Sequence, residues 1–306
     1  MECVVCAGTY EKTVCGIVFT FRDVGGSVEL EKAENIFSTA AHSGSVTAVA
    51  MNRERTFLVS GSTDEMVNVF DVKRRRHYGT LEHHVGTITD AVFFGDFCFV
   101  SSRDGTVSIT NTERWCHLHT LNGHKEDCVS FAVHPSGKVG LSVGGTKRHV
   151  KVWNLSSAKM VSRSRVADGL GVSIAVRWSA TGRFYGLLFE GGVQVFSKDC
   201  DEAVVEFKAE SRLKCFLFYR DTHVLLFDEF GGVAVIEIET GKHTEHGSCN
   251  PARIKAACVV GVGVFDILFT ASSDGTVKVW DMQSIISPAA VQLGAHRISG
   301  RINAIC

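Results

Sequence analysis

The chain has 306 residues, and 32 Lys and Arg against 33 Asp and Glu leave a formal net charge of −1. No global positive field draws such a chain to nucleic acid, so any RNA contact has to come from a local patch. Hydrophobic residues make up 45%, with 30 Gly and only 3 Pro, a composition that suits a well-buried protein of many short strands joined by Gly-rich turns. No apolar run is long and uncharged enough to cross a bilayer. Met1-Glu2-Cys3-Val4 lacks the basic-then-apolar start of a secretory leader. The 11 cysteines are an odd number scattered from Cys3 to Cys306; they read as mainly buried, reduced thiols of an intracellular protein rather than a disulfide framework. Cys3-x-x-Cys6 has a metal-like spacing, but strand residues three apart point to opposite faces and no second pair follows. No metal and no cofactor are expected.

In chain order, Ala7 to Ile17 aligns with Ser60 to Phe70 and reads as two strands, with Ile36 to Ala40 as a further, outer strand. A His-containing turn, Ala41-His42-Ser43-Gly44, leads to Gly61-Ser62-Thr63-Asp64-Glu65-Met66-Val67-Asn68-Val69-Phe70-Asp71. A second such turn at His83-His84-Val85-Gly86 leads to Ser101-Ser102-Arg103-Asp104-Gly105-Thr106-Val107-Ser108-Ile109-Thr110-Asn111. Gly123-His124-Lys125 then precedes Gly144-Gly145-Thr146-Lys147-Arg148-His149-Val150-Lys151-Val152-Trp153-Asn154, which keeps the strand but loses the acid. Weaker copies end at Phe196 and Ile236, and the clearest closes the series at Ser272-Ser273-Asp274-Gly275-Thr276-Val277-Lys278-Val279-Trp280-Asp281. Phe70, Thr110, Trp153, Phe196, Ile236 and Trp280 thus recur every 40 to 44 residues. Asp-Gly and Asp-Glu steps suit tight hairpins, in which Asp bonds backbone N–H groups and Gly accepts positive φ.

This pattern resembles the WD-repeat family over almost the whole chain, and a period of roughly 40–45 residues is that of four strands per blade. The resemblance implies an all-β, seven-bladed WD40 β-propeller forming a single domain over 1–306. One blade is assembled from both ends, 1–41 and 296–306, with Arg301 to Cys306 supplying its inner strand, so that the ring has no open edge. The others fall at about 42–83, 84–123, 124–164, 165–207, 208–245 and 246–295. It also implies that His, a strand Ser, the turn Asp and the Trp form a hydrogen-bonded network inside a blade. On that reading His42 pairs with Asp64 and His84 with Asp104, while His124, Trp153, Asp274 and Trp280 serve the same structural purpose.

Recurring His and Asp invite comparison with a hydrolytic triad, which needs one convergent nucleophile, base and orienting acid. A single catalytic site cannot recur with the blade period. Gly-x-Ser-x-Gly, Gly-x-x-x-x-Gly-Lys-Ser/Thr and His-Glu-x-x-His are all absent. The chain reads as no enzyme. Candidate partner-binding residues are instead cations at hairpins: Lys73, Arg74, Arg75 and Arg76 after one third strand, Lys147 and Arg148 before another, and Arg163 and Arg165 beyond it. The first group and Lys147-Arg148 are expected on opposite faces, with Arg163 and Arg165 on the Arg74 face.

Several segments carry a narrower resemblance: Leu81-Glu82-His83-His84-Val85-Gly86-Thr87-Ile88-Thr89, His134-Pro135-Ser136-Gly137-Lys138 and Ala7-Gly8-Thr9-Tyr10-Glu11. Together they resemble the WD-repeat proteins that interact with p21-activated kinase, whose fungal counterpart is an assembly factor for the large ribosomal subunit. That implies a nuclear, nucleolar scaffold in ribosomal-RNA processing and pre-ribosome assembly. It would be a monomer within a larger complex, with pre-ribosomal proteins and ribosomal RNA as partners and no membrane contact. The alternative it implies is an adaptor that binds and restrains a protein kinase. Family members carry a Lys-rich C-terminal tail; the sequence stops at Cys306, so RNA affinity is expected to come from the ring.

Overall fold

The computed structural model describes residues 1–145, 149–165, 169–200, 202–287 and 290–306, with the backbone alone at Arg165. Among these residues the strands form seven four-stranded antiparallel sheets, each running from an inner to an outer strand. The second blade shows the unit: Val46–Met51 innermost, then Phe57–Ser62 and Val67–Asp71, then Arg76–Leu81 outermost. Its two middle strands are buried on both faces, because each blade is pressed between two others, whereas Arg76–Leu81 is mostly exposed. That gradient explains why the repeat is sharpest in the third strand and fades in the fourth.

Packing between neighbouring sheets gives seven apolar clusters, one for each gap between blades. In the gap between the first and seventh blades, Phe19 and Phe269 are fully buried with ring centroids 4.9 Å apart, each contributing about 2–3 kcal/mol by burial. Phe70, Thr110, Trp153, Phe196, Ile236 and Trp280 each stand in the third strand of their blade. In five of those six blades the pairing of third and fourth strands shifts register at that residue, a bulge that a period count does not reveal.

The shared blade has the order Ile302–Ile305, Glu2–Thr9, Thr13–Val24, Ser27–Ala40. Cys6 and Cys306 exchange backbone hydrogen bonds at 2.9 and 3.0 Å, and Tyr10 N–H reaches Arg301 O at 2.8 Å. The outer strand begins at Ser27, well before the expected Ile36, because Val28 and Leu30 pack into the gap against the seventh blade. Cys3 belongs to that gap while Cys6 packs on the other side, against the second blade, so the two thiols face apart. The seventh blade carries a short helix, Met282–Ile286, between its third and outer strands. Asp281 caps it by accepting from Ser284 N–H at 3.1 Å, and Met282 and Ile285 fill the adjacent gap.

Candidate interaction surfaces

Loops entering the inner strands and turns between second and third strands share one ring face; hairpins between third and outer strands share the other. On the first face His42 directs Nδ1 to the Asp64 carboxylate at 3.1 Å, and Nε2 lies 2.7 Å from Ser60 Oγ. Asp64 also accepts from the amides of Ser43 at 2.8 Å and Met66 at 3.1 Å. Burial pushes the His42 imidazole down more than Asp64 pulls it up, which fits a neutral ring donating Nδ1–H to the carboxylate and accepting from the serine. Burial alone would raise the Asp64 carboxyl, but the Met66 and Ser43 amides and His42 outweigh it and hold it below the usual range. The order Asp, His, Ser is that of a hydrolytic triad, yet Ser60 has no exposed surface and cannot meet a substrate.

The third blade repeats the arrangement with a switched strand. His84 Nδ1 meets Asp104 at 3.0 Å, but Nε2 meets Ser108 at 2.9 Å. Ser108 lies directly across from Val100, the counterpart of Ser60, so the hydroxyl has moved to the facing strand. Thr110, in the aromatic position, is fully buried and its hydroxyl has no hydrogen-bond partner among the described residues. In the fourth blade Ser142 Oγ accepts from Trp153 Nε1 at 2.8 Å and lies 2.7 Å from His124 Nε2. In the seventh, Trp280 Nε1 donates to Thr270 at 3.0 Å, and Asp274 accepts from Thr276 N–H at 3.0 Å. Around the channel, Arg177 donates to Asp90 at 2.8 Å and to Ser130 at 2.7 Å, tying three successive inner strands together.

On the opposite face Lys73, Arg74, Arg75 and Arg76 are all exposed. Asp71 orders this hairpin by accepting from Arg74 N–H at 2.8 Å. Beside it an aromatic cluster spans two blades, which cation spotting alone does not reveal. Phe57 lies 5.3 Å from Tyr78 and 5.2 Å from Trp115 between ring centroids, and Tyr78 is half-exposed. Arg163 is not on this face. Its strand pairs it with Lys151, next to the turn between second and third strands, and so on the His124 side. The chain runs back up the blade between Lys159 and Arg165, and counting residues from the preceding strand misjudges that distance. Lys147 and Arg148 lie outside the described residues, as does the side chain of Arg165. Among the described residues no three His, Cys, Asp or Glu side chains gather as a metal set, and no helix is long and apolar enough to cross a membrane.

Residues 33–71, 115–154 and 255–281 match the family described as WD domain, G-beta repeat. Two of these stretches start at an outer strand or its hairpin and end at the third strand of the next blade, so the matched unit is offset by one strand from the structural blade. The chain carries WD40 repeats on a seven-bladed propeller. This WD40 propeller is similar to the p21-activated protein kinase-interacting protein 1-like of Danio rerio, at 28% identity over all of this chain and 82% of that protein. It is also similar to Protein MAK11 of Saccharomyces cerevisiae, at 23% identity over 92% of this chain and 78% of that one. A crystal structure of RRP9 WD40 repeats superposes with a TM-score of 0.75 over 86% of this chain and 84% of that one, at 16% identity, a likeness of fold alone.

Proposed function

We propose that this WD40 propeller is a non-catalytic docking scaffold acting in large ribosomal subunit assembly, in the nucleolus. The observation that carries the scaffold reading is the use of the recurring His, Ser and Asp side chains inside the blades, where Ser60, Ser108 and Ser142 are between 0 and 2% exposed. Side chains free to meet another molecule are the exposed cations and half-exposed rings of the Arg74 hairpin and its aromatic neighbours. Cations beside partly exposed aromatic rings suit phosphate backbones and unpaired bases as well as acidic polypeptides. The assembly role follows the narrower resemblance of the Leu81–Thr89 and His134–Lys138 segments.

Affinity purification of the tagged protein, with and without nuclease, and sedimentation of cell extracts test this reading. Expected are large-subunit assembly proteins in the eluate, co-sedimentation with pre-ribosomes, and accumulation of large-subunit precursors on depletion. A combined Arg74→Glu, Arg75→Glu, Arg76→Glu variant should lose co-sedimentation while keeping its thermal transition. Free sedimentation with normal precursor levels would overturn the assembly role. A second reading, a kinase-restraining adaptor, is favoured by relatives whose names describe kinase binding, including Shk1 kinase-binding protein 15 of Schizosaccharomyces pombe at 26% identity. Purified kinase with and without this protein tests it; unchanged autophosphorylation and no complex would remove it.

A further inference from the structure

The sixth blade, Leu213–Tyr219, His223–Asp228, Gly232–Glu237 and His243–Ser248, replaces the polar network of the second with apolar side chains. In the second blade Ser60 pairs with Asn68, two residues before Phe70; in the sixth Leu226 pairs with Ala234, two residues before Ile236. The pair of Val46 and Ser62 likewise corresponds to that of Leu213 and Asp228, which sets Ala209 in the place of His42 and Phe230 in that of Asp64. Where His42, Ser60 and Asn68 fill the second blade with hydrogen-bonded side chains, the sixth has Ala209, Leu226 and Ala234. Two alanines replace an imidazole and a carboxamide, and Leu226 returns only part of the lost bulk.

A cavity of about 420 Å³ opens there on the His42 face. Buried Leu213, Leu226 and Val233 line it, together with Phe207 from the outer strand of the fifth blade, Ala203–Lys208. Phe230 stands at the rim and is 67% exposed. The turn beneath it is fixed, because Asp228 accepts from Phe230 N–H at 2.9 Å, Gly232 N–H at 2.6 Å and Ser211 Oγ at 2.7 Å. An aromatic ring held in water beside an apolar hollow gains by covering an apolar guest. The lining carries Glu210, Asp228 and Glu245 and no Lys or Arg; Arg212, in the same loop, does not line it. Asp228 is satisfied by its own turn. Glu210 and Glu245 are exposed, and their carboxylates have no hydrogen-bond or ion-pair partner among the described residues.

We propose that this cavity is a socket for a leucine or phenylalanine side chain of a protein partner, flanked in the partner's chain by Lys or Arg that pair with Glu210 and Glu245. Burying the apolar side chain against Leu213, Leu226 and Phe230 supplies the affinity, and the rim carboxylates select the basic neighbours. The same acids repel a phosphate backbone, so the guest is a polypeptide and not a nucleic acid. The proposal rests on the docking reading above and adds a site on the face opposite the Arg74 hairpin.

The test is selection of a displayed library of random dodecapeptides on the folded full chain, followed by fluorescence anisotropy with the enriched peptide, synthesised and labelled. Expected are sequences with Leu or Phe beside Lys or Arg. Ala234→Leu, which fills the socket, should weaken binding by about tenfold or more. A combined Glu210→Lys, Glu245→Lys variant should weaken it roughly tenfold, while the Arg74→Glu, Arg75→Glu, Arg76→Glu variant binds as the wild type does. The surface change at Glu210 and Glu245 keeps the test decisive if Ala234→Leu does not fold. No enriched peptide, enrichment of acidic sequences, or equal affinity in the wild type and the Glu210→Lys, Glu245→Lys variant overturns the proposal. So does an oligouridylate that displaces the peptide from the wild type, which would assign the socket to nucleic acid. Peptide binding is read on the purified chain and pre-ribosome co-sedimentation in extracts, so the assembly role stands or falls separately.

Discussion

At the scale of single residues, the turn after each second strand shows how one backbone position constrains chemistry. Gly105 and Gly275 hold it at φ of 84° and 86°, whereas Glu65 holds it at 71°. A side chain there meets the steric cost of the left-handed region. Replacing Glu65 by Gly should stabilise the protein by about 0.5–1 kcal/mol, read as a raised urea midpoint at unchanged slope; a lowered midpoint would show that the Glu65 side chain contributes more than its backbone costs. The histidines make a second prediction. The folded His42 and His124 bind protons less readily than the ordinary value of 6.5, His124 down to about 3. The unfolded chain therefore takes up more protons below pH 6.5, and stability falls on acidification through that window. Asp64 and Asp104, held below the usual 3.8, extend the loss once the unfolded carboxylates begin to protonate. His124→Gln should flatten the decline between pH 6.5 and about 4, and a slope identical to the wild type would remove this account. The His42–Asp64 and His84–Asp104 partnerships were legible from spacing and family pattern. The serine that completes each was not, because Ser60 and Ser108 lie on facing strands and only the register distinguishes them.

At the scale of elements, the inner strands are joined to their neighbours by side chains that bulges turn sideways. Register shifts at Thr47 and Thr89 let these hydroxyls reach the next blade, Thr47 to Ile88 O at 2.5 Å and Thr89 to Cys128 O at 2.7 Å. Thr47→Val and Thr89→Val should each cost about 1 kcal/mol by chemical unfolding, with Thr→Ser largely neutral at both positions. Valine variants as stable as the wild type would show that apolar packing alone holds adjacent blades. The third-strand hairpins follow a related rule. Asp71 and Asn111 accept turn amides, and Arg75 and Trp115 take φ of 53° and 51° four residues later. The strands and their order could be read from the recurring third strand. The bulges, the early start of Ser27–Ala40 and the helix Met282–Ile286 could not, since each depends on what the neighbouring blade presents.

At the scale of the whole molecule, one sheet joins the two chain ends, with Ile302–Ile305 as its inner strand beside Glu2–Thr9. Ile302 is fully buried and Ile305 nearly so, in a strand that contacts both neighbouring inner strands. Ile302→Ala should therefore cost about 2–4 kcal/mol and act on the cooperative transition of the entire ring, measured by agreement of far-ultraviolet dichroism and tryptophan fluorescence on denaturation. If the two probes separated, with only one responding to the change, the closing blade would be an independent unit rather than the clasp of the ring.

The sequence by itself determined the period, the count of blades and the pairing of the two ends. These follow from alternation of apolar residues and turn chemistry, which act between residues close along the chain or repeat with a fixed interval. The tertiary structure alone decided which face each cation occupies, moving Arg163 to the His124 side and gathering Phe57, Tyr78 and Trp115 from two blades. It alone also brought the Asp127 carboxylate to Gly145 N–H at 3.1 Å, in the blade whose turn has no acid of its own. Such groupings arise from strand register and from contact between blades, and neither is encoded in spacing along a single strand.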